Sequence, residues 1–294
     1  MNFILFSSRG YNYLFKSGFI SIIGKINVGK SSLLNNLIEK KISIISPKPN
    51  TTLSQIMGVY NEEKYQLIFF DNPGIYCKKD FFFTKNNSLS FKNIQNSDVI
   101  LFMVDRKYQE EDDIILNILK KYNKKIFLII NKIDFFKNNT FIDKIILSYL
   151  NHFDFDEIIP LSCFTKKNLN ILKEKIVYYL EEGPLYFSEN IYTNIDEKRL
   201  ISDFIREKIL FYSDKEVPYC CKILIENIFF NKKNNLVEIS SLILVQKTSQ
   251  RKIIIGKKGY KIKKIISESK KDIRKIFNMN ICLNLYVKIS SSMN

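Results

Sequence analysis

Residues Gly24-Lys25-Ile26-Asn27-Val28-Gly29-Lys30-Ser31 fit the pattern GxxxxGK[ST], with Ser32 continuing the hydroxyl pair. Such a loop holds a chain of phosphates. Successive backbone N–H groups and a helix N-terminus face the oxygens, and glycine lets the main chain approach them. Lys30 is then placed for the β- and γ-phosphates and the Ser31 hydroxyl for magnesium. The alternative reading is a glycine turn before a helix.

Four further short patterns add chemistry along the chain. Asp71-Asn72-Pro73-Gly74 offers a carboxylate to the magnesium shell and the Gly74 N–H to a γ-phosphate. Thr51-Thr52 offers a hydroxyl ligand to magnesium, Thr52 rather than Thr51. In Asn131-Lys132-Ile133-Asp134, the Asp134 carboxylate can accept both guanine N1–H and the exocyclic 2-amino group. Adenine offers neither donor and would leave that charge unpaired, so the residue selects GTP over ATP. Asn131 would brace the loop and the Lys132 stem would cover the base. Ser162-Cys163 can place a backbone N–H on guanine O6. Taken singly, each short match is also what an ordinary turn looks like.

These residues need strand ends to sit on. Short apolar runs at 19–23, 55–60, 65–71, 99–105, 126–130 and 157–161 alternate with helical patterns at 30–38, 112–122, 143–149 and 168–180, with another around 89–95. The expected fold is an α/β domain with a mostly parallel sheet and helices on both faces. One hairpin is expected across Asn61–Lys64, because the flanking strands are only a few residues apart. The motifs fall at the carboxyl ends of strands, where α/β ligands bind. After Leu180, Glu-Glu-Gly-Pro signals a stop, and the pattern becomes αββααβ: a helix at 197–211, strands at 219–230 and 236–246, helices at 250–256 and 260–277, and a strand at 280–289. The expected organisation is an extension (1–16), a nucleotide domain (17–181), a linker (182–196) and an α+β domain (197–294).

Gly256-Lys257-Lys258-Gly259, between the last two helices, is a GxxG loop, the type that clamps an RNA backbone in KH domains. Two glycines admit phosphates to the main chain and two lysines neutralise them. Ile255 leads into the loop, and Lys261, Lys263 and Lys264 follow it. From Lys247 to Lys275 there are 12 basic residues against Glu268 and Asp272, with isoleucines interleaved as core and as a floor for unstacked bases.

The 294 residues are 46% hydrophobic and 26% charged, which suits two folded domains. The formal charge of +16 points to a polyanion. However, Lys outnumbers Arg 40 to 6 and alanine is absent, as codon bias would also produce. The distribution says more: residues 197–294 carry 21 basic and 9 acidic residues. The longest apolar run, Val99–Val104, is far short of the ~20 residues needed to span a bilayer. Cys77, Cys163, Cys220, Cys221 and Cys282 form no CxxC pair, so neither a disulfide framework nor a zinc site is indicated. His152, the lone histidine, reads as a loop or surface residue. The expected location is cytoplasmic or membrane-peripheral. Residues 1–16, with Arg9 and Lys16 and no acid, leave organelle import open.

NVGKS, TT, DNPG, NKID and LSC, in this order, resemble a translation-factor-related GTPase and, in these forms, the Era family. Ile-Leu-Val (243–245) and Ile-Gly-Lys-Lys-Gly (255–259) are similar to the type II KH domain that closes Era proteins. The resemblance implies a GTP/GDP- and magnesium-dependent factor that binds the 3′ end of small-subunit ribosomal RNA, assists small-subunit assembly and departs after hydrolysis. It makes Lys30, Asn27, Thr52 and Gly74 the catalytic set, with Asn27 helping to hold potassium. Ile75 stands where Ras-like proteins have a water-orienting glutamine. Departures are Leu53 for Arg, Asn72 for Thr, Cys163 for Ala, and no short C-terminal helix. No obligate oligomer is implied. A tRNA-modification-type GTPase and a membrane-surface regulator are the alternatives.

Overall fold

Alternating buried runs and amphipathic helices build two layers of helix around one sheet, then a second, smaller sheet with its own helices. The computed structural model describes residues 14–46, 55–72, 93–136, 138–213 and 220–290. The first sheet contains β1 (Lys16–Gly24), β2 (Ile56–Glu62), β3 (Tyr65–Asp71), β4 (Val99–Val104), β5 (Lys125–Ile130) and β6 (Glu157–Pro160), in the order β2-β3-β1-β4-β5-β6. All neighbours are parallel except the β2–β3 hairpin. β4 is buried along its whole length, as a strand covered on both faces must be.

Helices α1 (Lys30–Ile38) and α4 (Leu169–Tyr179) cover one face through Leu33, Leu34, Leu37, Leu172 and Ile176. Helices α2 (Asp113–Leu119) and α3 (Asn139–Leu150) cover the other through Ile115, Leu116, Ile145 and Tyr149. Helix α2 is shorter than its pattern suggests. Asp112 sits in a tight turn ahead of it, where its carboxylate accepts the Gln109 N–H at 2.9 Å. Helix α3 starts four residues earlier than expected, and the added turn stacks Phe141 on Phe136. Of the helix expected at 89–95, residues 93–96 form one turn and 89–92 lie outside the described residues.

The stretch expected as a linker lies against the sheet edge. Val59 N–H donates to Tyr192 O (3.0 Å), Met57 N–H to Asn194 Oδ1 (3.1 Å) and Thr193 Oγ1 to Met57 O (2.8 Å). Buried Gln66 accepts the Tyr186 and Phe187 N–H groups and donates to Phe187 O. Backbone groups that an edge strand would leave open are thereby paired. Asp196 then caps α5 (Glu197–Tyr212) by accepting the Arg199 N–H at 2.7 Å.

The second sheet, β7 (Cys221–Asn231), β8 (Leu236–Val245) and β9 (Asn280–Ile289), pairs β7 antiparallel and β9 parallel to β8. Helices α5, α6 (Thr248–Ile255) and α7 (Tyr260–Phe277) cover one side of it. Phe204, Ile254, Ile265 and Ile273 are fully buried there, in a core continuous with the α1 face of the first domain.

Candidate nucleotide and RNA sites

The phosphate loop joins the end of β1 to the start of α1 and takes its shape from its glycines. Gly24 and Gly29 have φ of 150° and 107°. A Cβ on Gly24 would overlap the Met103 carbonyl oxygen, and one on Gly29 the Asn131 side-chain amide. Any larger residue is thus excluded by both torsion and space. Buried Lys30 folds back over the loop, donating to Gly24 O (3.1 Å) and Lys25 O (2.7 Å). Burial lowers its pKa to about 8, with the Asp71 charge pulling the other way. Lys25 pairs with Asp112 at 2.8 Å and Glu111 at 3.4 Å, which ties the loop to the turn before α2. Ile26, Val28 and Ser32 complete the loop and the first turn of α1; Val28 is buried.

At the end of β3, Asp71 is fully buried. Its Oδ2 accepts from Ser31 Oγ (2.6 Å) and Ser43 Oγ (3.2 Å), while its Oδ1 has no hydrogen-bond partner among the described residues. Burial raises its pKa, and the Ser31, Lys30 and Ser43 contacts oppose that. A buried carboxylate oxygen left unmatched beside a serine hydroxyl is suited to a cation. The donor set is all oxygen with one carboxylate, which fits magnesium shared with phosphate oxygens. Asn72 is equally buried: its amide donates to Ile22 O (3.3 Å) and Phe70 O (3.4 Å), and its oxygen accepts from Asn93 (2.8 Å). Thr51, Thr52, Leu53, Gly74 and Ile75 lie outside the described residues.

At the end of β5, Asn131 Nδ2 donates to Val28 O at 2.8 Å and its Oδ1 accepts the Cys163 N–H at 3.1 Å. One buried side chain therefore joins the phosphate loop to the Ser162–Cys163 loop. Lys132, at φ 63°, donates to Asn27 O (2.9 Å) and pairs with Asp105 (2.5 Å). Asn27 itself sits at φ 62°. Asp134 is exposed and accepts from Ser162 Oγ at 2.5 Å, leaving a carboxylate edge toward solvent. Burial pushes the Cys163 thiol up to about 12, so it stays protonated and is no nucleophile.

In the second domain, Gly256 (φ 72°) ends α6 and Gly259 (φ 75°) opens α7. Lys257, Lys258, Lys263 and Lys264 are exposed around this turn, with Ile255 and Lys261 half-buried. Lys264 Nζ lies 4.7 Å from the Tyr212 ring centre. Of the interleaved isoleucines, Ile254 and Ile265 are core, while Ile253 is 37% exposed. His152 stacks on Tyr108 at 3.6 Å.

Sequence reasoning does not reach Ser43, Asp105 or Asp112. Each lies in no motif, and only its long-range partner marks it.

A phosphate loop on a parallel sheet, a guanine-type loop at the end of β5 and a GxxG helix pair define a P-loop GTPase domain joined to a KH domain. Residues 19–132 match the family model described as "50S ribosome-binding GTPase", and residues 216–294 match that of the KH domain. Curated relatives named GTPase Era include that of Syntrophus aciditrophicus, 38% identical with 96% of this chain and 93% of the relative covered. That of Clostridioides difficile is 39% identical, with 95% of each covered. Solved structures of Era superpose over 95% of both chains at 34% identity. One, in complex with MgGDPNP and nucleotides 1506–1542 of 16S ribosomal RNA, has a TM-score of 0.83. Another, a point variant of Aquifex aeolicus Era bound to GDP·AlF4−, has a TM-score of 0.85. The chain belongs to the Era family of GTPases, enzymes that hydrolyse GTP.

Among the described residues, no helix is long and apolar enough to cross a membrane.

Proposed function

We propose that this protein is a GTP-driven switch that grips the 3′ end of small-subunit ribosomal RNA and assists assembly of the small ribosomal subunit, working in the compartment that holds the ribosome. The observation that supports this reading is its superposition, over 95% of both chains, on an Era that carries both MgGDPNP and that RNA segment. In this reading the loop from Gly24 to Ser32 cradles the phosphates, and Lys30 carries positive charge to the β- and γ-phosphates. Ser31, Asp71 and Thr52 hold magnesium, which shields phosphate charge when bound. Gly74 N–H meets the γ-phosphate. Asp134, oriented by Ser162, selects guanine, the Cys163 N–H faces its O6, and Asn131 and Lys132 hold the walls together. Asn27 helps to hold potassium, and hydrolysis rates that are equal in potassium and sodium would overturn that role.

Ile255 to Gly259, with Lys261, Lys263 and Lys264, clamp the RNA backbone. Crosslinking in lysate with a non-hydrolysable GTP analogue bound should capture small-subunit ribosomal RNA. Gly259→Asp should abolish capture, because it puts a carboxylate among the phosphates at a residue with φ 75°, and should leave GTP binding intact. Capture of tRNA instead, or binding of anionic vesicles that RNA does not compete away, would overturn the reading.

A further inference from the structure

Between α1 and the paired threonines runs the segment Lys41–Ile45, which is fastened on two sides. Toward the nucleotide site, Asn35 Oδ1 accepts the Ile42 and Ser43 N–H groups (2.8 and 2.9 Å), and Ser43 Oγ donates to Asp71. Toward the KH domain, one carboxylate takes both ends of the segment. Glu207 on α5 receives Lys41 Nζ at Oε1 (2.7 Å) and the Ile45 N–H at Oε2 (3.1 Å). Asp272 on α7 also receives Lys41 (2.7 Å), and Lys208 bridges Asp272 (2.6 Å) and Glu207 (2.8 Å). The Glu207 side chain is only 5% exposed and that of Asp272 12%. Neither acid can lose its partners and recover them from water at little cost.

A chain of contacts therefore runs from Asp71 to the KH helices. Ser43 is two residues from Lys41 and two from Ile45, so one short backbone stretch joins the Asp71 contact to both contacts of Glu207. Asp272 sits 13 residues along α7 from Gly259, roughly 20 Å along a rigid helix that begins at the GxxG loop. We propose that Glu207 is a positioning residue: with Lys41, Lys208 and Asp272 it clamps the Lys41–Ile45 segment and, through Ser43, couples the Asp71 site to the RNA-binding helices. The proposal rests on the GTP-driven RNA switch described above and supplies its physical link. The coupling is reciprocal, so it is readable from the RNA side alone.

The test measures the affinity for an RNA oligonucleotide copying nucleotides 1506–1542 of 16S ribosomal RNA by fluorescence anisotropy. It uses the full chain loaded with Mg·GDPNP or with GDP. The wild type should show an affinity ratio between the two states of about tenfold, within the usual range of allosteric coupling. Glu207→Gln, which keeps shape and removes charge, should bring the ratio at least threefold nearer to unity. Ser43→Ala, on the other side of the segment, should do the same, and the double variant should lose no more than either alone. Lys41→Met carries the test if Glu207→Gln does not fold. A clamp that is only structural would lower the melting temperature and leave the ratio at its wild-type value, which would overturn the proposal. So would losses that multiply in the double variant. A wild-type ratio of one would overturn the nucleotide-switch reading itself and the clamp with it.

Discussion

Both domains build a loop for phosphate from two positive-φ glycines at the start of a helix, but the two loops are enclosed to very different degrees. Around Gly24 and Gly29 there is no room for a Cβ: Met103 and Asn131 stand against them, and Lys30 is buried with its pKa lowered. Around Gly259 a Cβ would meet nothing nearer than 3.9 Å, the crowding at Gly256 comes from the half-buried Lys261 beside it, and Lys257 and Lys258 stand in solvent. The first loop can hold one shape of ligand in a low-dielectric wall, where each hydrogen bond counts for more. The second, in the proposed reading, gathers charge along a flexible polymer that keeps much of its hydration. In the proposed reading the same local device serves chemistry in one place and grip in the other, and burial by the surrounding fold makes the difference.

The largest effect should come from the enclosed loop. Lys30→Met removes the buried ammonium while keeping the stem, and should lower kcat by about 10²–10³-fold in a phosphate-release assay. The far-ultraviolet spectrum should stay native. A loss under tenfold would mean that enclosure adds little.

An intermediate effect distinguishes the loops by salt. RNA binding should weaken steeply as salt rises, and Lys257→Ala or Lys258→Ala should each flatten the slope of log K against log salt by about 0.7, the single-strand value per phosphate contact. Neither change should alter GTP affinity. Equal slopes for wild type and both variants would place the RNA elsewhere.

The smallest effect concerns the charges between the domains. Burial raises the Asp272 pKa, but hydrogen bonds from Lys208 and Lys41 outweigh it and hold the carboxyl below its usual value. A carboxyl depressed in the native state contributes stability that is fully present above its unfolded pKa, about 3.9. That contribution is lost as pH falls through the native value. The difference in urea-unfolding stability between wild type and Asp272→Asn should therefore be constant from pH 7 to about 5 and shrink below about 4. A difference that instead grew on acidification would reverse the sign argued for this pair.

Much of the fold was legible from apolar period and punctuation. The hairpin across Asn61–Lys64, the parallel remainder of the sheet and the αββααβ order all stand in the structure. Helix ends were less legible. Asp112 looks like a first-turn acid in the chain, yet its carboxylate is committed to Gln109 and Lys25, so α2 starts after it. The polar stretch 182–196 reads as a linker because nothing local shows that Gln66 and β2 will pair with it. At the nucleotide site, Asn131 was visible as part of a motif. Ser43 was not, because a lone serine in a Lys- and Ile-rich run carries no pattern.

From the chain alone came the local rules: where glycine must turn, which lysine and which carboxylate are candidates for a phosphate and a purine, and where basic charge accumulates. These depend on torsion, valence and neighbours a few residues away, and sequence encodes them directly. Only the tertiary structure decided that Asp71 is buried with one oxygen unmatched among the described residues, that Asn131 joins two loops, and that Glu207 holds both ends of a segment more than 160 positions before it. Burial and long-range pairing arise when distant parts of the chain exclude water together, and no window along the sequence contains both partners.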